Sequence, residues 1–280
     1  MLMTGYPTQE IPAGYVQGPA LQGMFLHLLE SVDPAVMQRL HADNRYRPYT
    51  LSPLGVEDLP VSGPSRERNF QGFRLSRQEM LQPGQPCSVR ITLLEDDLFP
   101  TFSRYFLAQA EPTFRLGNVE FQVTNVLVAG DNGNPWSRYI SYPELIAHAA
   151  RQQRQCRIGL RFLSPTSFRN GDVDLPLPWP RLVFQSYLKR FCEFYPVDFL
   201  PDFAEQVECY TGIGRLDWIR TETIKTKNVL LVGFTGDVWF HIDPKAPPDL
   251  VWQMNLLADF ALFCGTGRKT TIGLGQTMRM

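Results

Sequence analysis

The sequence predicts an α+β fold of two tandem ferredoxin-like domains, each with β-α-β-β-α-β order. Three observations predict it. The chain has 280 residues, and at roughly 150 residues per domain that length gives a prior of about two. Asp131-Asn132-Gly133-Asn134-Pro135 is the strongest turn cluster in mid-chain, which sets the boundary there: an N-terminal domain over 1–130 and a C-terminal domain over 131–280. After that cluster the pattern begins again as strand, helix, two strands, helix, strand, and the first half fits a looser version of the same order.

The elements follow from local chemistry. Leu21, Met24, Phe25 and Leu28 recur at helical spacing across Ala20–Leu29, and Asp33-Pro34 is an N-cap followed by proline at the first helical position, opening a short helix to about His41. Extended segments are expected at Tyr49–Leu54, Gly72–Ser76 and Cys87–Leu94, from β-branched and aromatic residues between Pro/Gly turns. Glu95-Asp96-Asp97 suits the positive end of a helix reaching about Gln109, and Val119–Val128 reads as a strand. In the second half, helix is expected at Tyr142–Gln153 and strand at Arg157–Leu163. Helix follows at Trp179–Phe194, strands at Gln206–Leu216 and Val229–His241, helix at Pro248–Phe263, and a closing strand near Thr271–Met278.

Composition excludes several classes. Charged residues make up 20% and hydrophobic ones 44%, which excludes a disordered chain, and Gly 21 with Pro 23 is far from collagen. The net charge of -1 supplies no overall field for a polyanion, so any such site must be a local patch. One candidate patch exists: Arg138, Arg151, Arg154, Arg157, Arg161 and Arg169 share the span 138–169 with Glu144 as its only acid. Cys87, Cys156, Cys192, Cys209 and Cys264 form no C-x-x-C pair and suit a reducing compartment. With no basic region leading an apolar run and no long apolar stretch, a cytoplasmic, unprocessed protein without a membrane partner is expected.

Two regions could carry chemistry. Gly265-Thr266-Gly267-Arg268-Lys269-Thr270-Thr271-Ile272-Gly273-Leu274-Gly275 concentrates four glycines and two cations after a helix. Glycines allow successive N–H groups to line a phosphate-holding concavity. The order reverses that of the ATP and dinucleotide loops, which follow a strand and open a helix. The alternative, a glycine C-cap at Gly265 plus a turn, stays open. The histidines His27, His41, His148 and His241 show no metal-ligand spacing, so neither a metal nor another cofactor is expected. His41 ends a short helix and is followed by Arg45-Tyr46-Arg47-Pro48-Tyr49, so an imidazole, guanidiniums and a phenol could converge beyond the helix end to move a proton and neutralise a phosphate. The plainer alternative is a histidine favoured there by the helix dipole.

Three blocks then carry a resemblance. Met24-Phe25-Leu26-His27-Leu28-Leu29, Asp33-Pro34, Leu40-His41 and Arg47-Pro48-Tyr49-Thr50-Leu51-Ser52-Pro53-Leu54 form the first. Phe162-Leu163-Ser164-Pro165-Thr166-Ser167-Phe168-Arg169 is the second, and the loop Gly265–Gly275 the third. In this order they resemble the CRISPR-associated repeat-processing endoribonucleases of the RAMP superfamily, especially the cyanobacterial forms. The resemblance implies two ferredoxin-like (RRM-like) domains and metal-independent cleavage of CRISPR precursor RNA within the repeat. A ribose 2′-hydroxyl attacks the adjacent phosphate, leaving a 2′,3′-cyclic phosphate and a 5′-hydroxyl. It implies His41 as the catalytic histidine, with Arg47 about where many members have a lysine. Arginine stabilises charge but exchanges no proton. His27 would be a second proton carrier, and Tyr46 or Tyr49 would stand in for the family's tyrosine. Gly265, Gly267, Arg268, Lys269, Gly273, Gly275 and Arg169 would contact RNA. Its partners would be the repeat RNA, as precursor and as processed guide, with other effector subunits and a homodimer left open. Two further readings stand beside this one: a non-catalytic repeat-binding subunit of a CRISPR effector, and an unrelated α+β protein whose glycine loop is only a turn.

Overall fold

The computed structural model describes residues 1–11, 18–41, 46–56, 80–128, 136–151, 155–225 and 230–280. The chain divides into two compact units. Unit 1 comprises Met1–Tyr139 with Thr271–Gly273, and unit 2 comprises Ile140–Thr270 with Leu274–Met280.

Unit 1 runs β1 (Leu2–Pro7), α1 (Pro19–Val32), α2 (Pro34–His41), β2 (Tyr49–Leu51), β3 (Gly55–Val56), β4 (Cys87–Leu93), α3 (Leu98–Leu107), β5 (Thr113–Leu116) and β6 (Val119–Leu127). Its sheet is ordered β2-β4-β1-β6-β5, with β3 also on β4. β6, β1, β4 and β2 therefore form the 4-1-3-2 arrangement of a ferredoxin-like domain, and β5 extends it as a hairpin with β6. Gly5 is required on β1: a Cβ there would lie 2.1 Å from the Gln122 carbonyl oxygen of β6, beside a register shift at Thr4/Gly5. Leu21, Met24, Phe25, Leu28 and Leu29 of α1 are buried, the spacing of one helix face. Phe25 packs on Tyr49 at 4.5 Å and on Phe102 of α3 at 6.3 Å between ring centroids.

Unit 2 runs α4 (Tyr142–Ala150), β7 (Arg157–Thr166), β8 (Phe168–Asn170), β9 (Val173–Leu175), α5 (Pro180–Phe194), α6 (Phe203–Tyr210), β10 (Thr211–Lys225), β11 (Leu230–Ile242), α7 (Pro248–Cys264) and β12 (Thr277–Arg279). A 3₁₀ turn spans Thr270–Ile272. The antiparallel sheet β10-β11-β7-β12 repeats the ferredoxin-like order. α4 begins with a capping box: Glu144 N–H donates to Ser141 Oγ, and Ser141 N–H to Glu144 Oε2 at 2.9 Å. α7 is buried on nearly all sides, Gln253 and Asn255 included, so its apolar residues surround the helix rather than forming one stripe.

Several sequence expectations shift. The strand expected at Gln206–Leu216 starts as helix α6, because Phe203, Ala204 and Val207 bury one helical face, and extends only from Thr211. The closing strand near Thr271–Met278 shrinks to Thr277–Arg279, since the glycine-rich run before it holds positive φ at Gly273 and Gly275. β1, β5 and the β8–β9 hairpin were not foreseen from the sequence. Gly72–Ser76 and the turn cluster at 131–135 lie outside the described residues. No helix among the described residues is long and apolar enough to cross a membrane.

Candidate functional site

In unit 1 the candidate residues follow α2. The helix is held at both ends. Asp33 Oδ1 accepts from the Ala35 N–H at 3.0 Å, capping its start. Arg39 near its end donates to Asp97 Oδ2 at 2.5 Å and lies 3.5 Å from Glu95. The acidic run ahead of α3 thus clamps α2; Asp97 makes no side-chain cap to its own helix. The bond to Asp97 holds the Arg39 guanidinium above its ordinary pKa. Leu40 is buried, and His41 is the last helical residue; the His41 side chain lies outside the described residues.

Ahead of β2, Tyr46 and Arg47 are both half-buried. The chain is stitched onto β4 by Leu94 N–H to the Pro48 oxygen at 2.8 Å, Ser52 N–H to the Arg90 oxygen at 2.9 Å and Arg90 N–H to Ser52 Oγ at 2.7 Å. Tyr49 is 1% exposed, its hydroxyl accepts from Gln22 Nε2 at 3.1 Å, and burial raises its pKa. It is a core residue. His27 lies on the outer face of α1, 71% exposed, with Nδ1 3.9 Å from Glu30. Thr271–Gly273 belongs to this unit: Ile272 accepts from the Gly18 N–H at 2.9 Å, Thr271 Oγ1 accepts from Gln22 at 3.2 Å, and a Cβ on Gly273, at φ 94, would lie 3.1 Å from the Pro53 nitrogen.

In unit 2 the second block and the glycine-rich loop meet. Thr266 N–H donates to the Gly275 oxygen at 2.7 Å, Arg268 N–H to the Ser167 oxygen at 3.0 Å, and Gly275 N–H to the Pro165 oxygen at 3.1 Å. Gly267 N–H donates to Ser186 Oγ at 3.3 Å. These amides serve the fold. The glycines are needed for the same reason. A Cβ at Gly267 would lie 2.3 Å from the Ser167 oxygen, and one at Gly275 2.0 Å from the Thr266 oxygen, with φ of +70 and +69.

Below the loop, α5 supplies Arg190 and Tyr187. Arg190 is 7% exposed and donates to the Gly265 oxygen at 2.9 Å and to the Gly267 oxygen. Tyr187 meets Thr266 Oγ1 at 2.5 Å, and Thr266 meets Thr277 Oγ1 at 2.7 Å. Burial drives the Tyr187 hydroxyl far above its ordinary pKa. Sequence reasoning missed both residues. The signal was two polar side chains, at positions i and i+3, on the otherwise apolar face of α5.

The expected RNA-contacting cations differ in state. Arg268 is paired with Asp174 of β9, and Arg169 lies 3.1 Å from Asp172 and 3.6 Å from Asp174. Lys269 has a left-handed backbone, φ 59, is half-buried, and forms no ion pair among the described residues. Elsewhere in the unit His148 Nδ1 sits 3.1 Å from Asp259, which also takes Arg279 at 2.8 Å.

A family model described as the CRISPR Cas6 N-terminal domain matches residues 1–147. A second, described as CRISPR-associated endoribonuclease Cas6, matches residues 160–277. Among solved structures, a Cas6 product complex is 25% identical over 100% of this chain and 99% of its own, with a TM-score of 0.75. A further Cas6 product complex is 27% identical over 100% and 98%, with a TM-score of 0.73. A Cas6 substrate mimic complex is 25% identical over 100% and 98%, with a TM-score of 0.69. No curated protein sequence matches.

Proposed function

The chain belongs to the Cas6 family of CRISPR-associated endoribonucleases, and from that premise we propose that it cuts CRISPR precursor RNA within the repeat, without metal, to release guide RNAs. The observation that carries this reading is the pair of Cas6 family matches, which together take in both units and all three sequence blocks.

The reaction begins with loss of a proton from the ribose 2′-hydroxyl. The oxygen attacks the adjacent phosphorus, the bond from phosphorus to the 5′-oxygen breaks, and that oxygen takes up a proton. The products are a 2′,3′-cyclic phosphate and a 5′-hydroxyl. Both transfers need a group that titrates near neutrality, and histidine, with an unperturbed pKa of about 6.5, is that group. His41 fills the role at the end of α2. Arg47 follows where the chain rejoins β4 and contributes fixed positive charge to the phosphorane but no proton. Tyr46 orients the phosphate, and His27 is the second proton carrier. Lys269 and Arg268, on the loop shaped by Gly265, Gly267, Gly273 and Gly275, and Arg169 on β8 hold RNA phosphates. The partner is the repeat RNA before and after cutting.

The test is end-labelled repeat RNA incubated with wild type and His41→Ala in EDTA, with the product ends identified by mass. A positioned acid or base contributes about 10²–10⁴-fold, so the variant should cut slower by that factor while binding the repeat equally well. Binding without cutting by the wild type would favour the repeat-binding subunit instead.

A further inference from the structure

The sheet of unit 2 has two unlike faces. On β11, Val238, Phe240 and Ile242 are all 0% exposed and lie on its core side. Thr235, Asp237, Trp239 and His241 alternate with them on the other face. The register places Arg157, Gly159 and Arg161 of β7 against His241, Trp239 and Asp237. It places Gly212, Arg215, Asp217 and Arg220 of β10 against His241, Trp239, Asp237 and Thr235. Directly opposed side chains share a face, so this surface collects arginines around one indole.

The indole lies flat because its cross-strand neighbour has no side chain: a Cβ on Gly159 would sit 2.6 Å from the Trp239 ring. The Arg157 guanidinium carbon stands 4.5 Å from the ring centroid, within cation–π range. Arg157, Gly214, Trp239, Phe240 and His241 line a cleft of about 230 Å³. Drug-sized ligands take roughly 300–1,000 Å³, so the cleft suits one flat ring system. Charge divides the arginines of the face. Arg161 is bidentate on Asp237, at 2.6 and 2.5 Å, and Arg215 pairs with Asp217 at 2.8 Å. Arg157 and Arg220 are exposed and form no ion pair among the described residues. The face therefore presents uncompensated positive charge beside an aromatic platform, the combination that holds single-stranded nucleic acid through base stacking and phosphate contact.

We propose that this cleft is a nucleotide subsite, in which an unpaired RNA base stacks on the outer face of the Arg157 guanidinium, which the Trp239 ring supports from beneath, while the guanidinium edge meets its phosphate. The inference rests on the RNA-processing reading above. It assigns the open sheet face to the single-stranded part of the substrate, away from the loop at Gly265–Gly275. Arg220 extends the track along β10, and His241 borders the cleft.

The experiment titrates labelled repeat RNA with the full chain as wild type, Trp239→Ala, Trp239→Phe and Arg157→Ala, and measures cleavage at saturating RNA in parallel. Trp239→Ala should weaken binding about tenfold, from the loss of one stacked base. Trp239→Phe should keep most of the affinity, and Arg157→Ala should lower the salt slope of binding by about one phosphate contact. The rate at saturation should hold throughout. Unchanged affinity in Trp239→Ala overturns the subsite. Should that variant unfold, Arg157→Ala decides alone, and an unchanged salt slope overturns it. Binding by wild type without cutting, still weakened by Trp239→Ala, would remove the nuclease reading and leave the subsite. Cutting with equal binding by all four proteins would do the reverse, and no binding by wild type would remove both.

Discussion

The stretch around α2 in unit 1 and the unit 2 part of the glycine-rich loop are both short, polar and proposed above to meet RNA, yet they are built in opposite ways. The loop is held from inside. Its carbonyls take a buried arginine, its hydroxyls form the chain Tyr187–Thr266–Thr277, and two of its neighbouring cations are tied to Asp174. The unit 1 stretch is held from its flanks, by Asp33, by the Arg39–Asp97 pair and by the ladder to β4. A loop that must keep one shape spends its polar groups on itself; the stretch proposed above to move protons is positioned by its surroundings instead.

The largest expected effect lies beneath the loop. Arg190→Met removes two hydrogen bonds from a charged donor to buried carbonyls, each typically about 1.5–3 kcal/mol, so unit 2 should lose about 3–5 kcal/mol in urea unfolding. A loss under about 1 kcal/mol would mean the loop does not depend on α5. Next comes a pair of glycines. Gly275→Ala drives a Cβ into the Thr266 oxygen, while Gly84, at a comparable φ of +76, has nothing within 4 Å of the same atom. Gly84→Ala should cost about 1–2 kcal/mol for the left-handed backbone alone, and Gly275→Ala clearly more. Equal costs would erase the distinction between a packed loop and an open turn.

Smaller effects sharpen the assignment of cations. Lys269→Gly relieves a left-handed backbone and removes one charge, so stability should hold or rise by about 1 kcal/mol while the salt slope for RNA falls by about one. Arg39→Ala breaks an exposed ion pair and should cost no more than about 1 kcal/mol, yet slow cleavage by loosening α2. A rate equal to wild type would show that α2 needs no clamp. The smallest effect is chemical. Burial pushes the Cys264 thiol up to about 12, so almost none is thiolate at pH 8. Iodoacetamide should label the exposed Cys209 and Cys192 in native protein, and Cys87 and Cys264 only after unfolding.

Helices with one apolar face were legible: the spacing from Leu21 to Leu28 and the Asp33-Pro34 start place α1 and α2 within a few residues. Elements set by tertiary contact were not. β1 is six residues containing Gly5 and Pro7 and becomes a strand through its pairing with β4 and β6. α6 carries Val207 and Tyr210, residues of strand preference, and becomes a helix because Phe203, Ala204 and Val207 share a buried face. At the loop the glycines and cations were visible, but their partners were not. Arg190 lies 75 residues from Gly265, and the Asp174 that holds Arg268 sits on a hairpin without a hydrophobic pattern of its own.

The most direct test of the central claim uses repeat RNA with a single 2′-deoxy substitution at the cut site, incubated with wild-type protein in EDTA beside the all-ribose substrate. The account predicts site-specific cutting of the ribose substrate, binding but no cutting of the deoxy one, and a 2′,3′-cyclic phosphate on the product. Cutting of the deoxy substrate, or activity that EDTA abolishes, would contradict it.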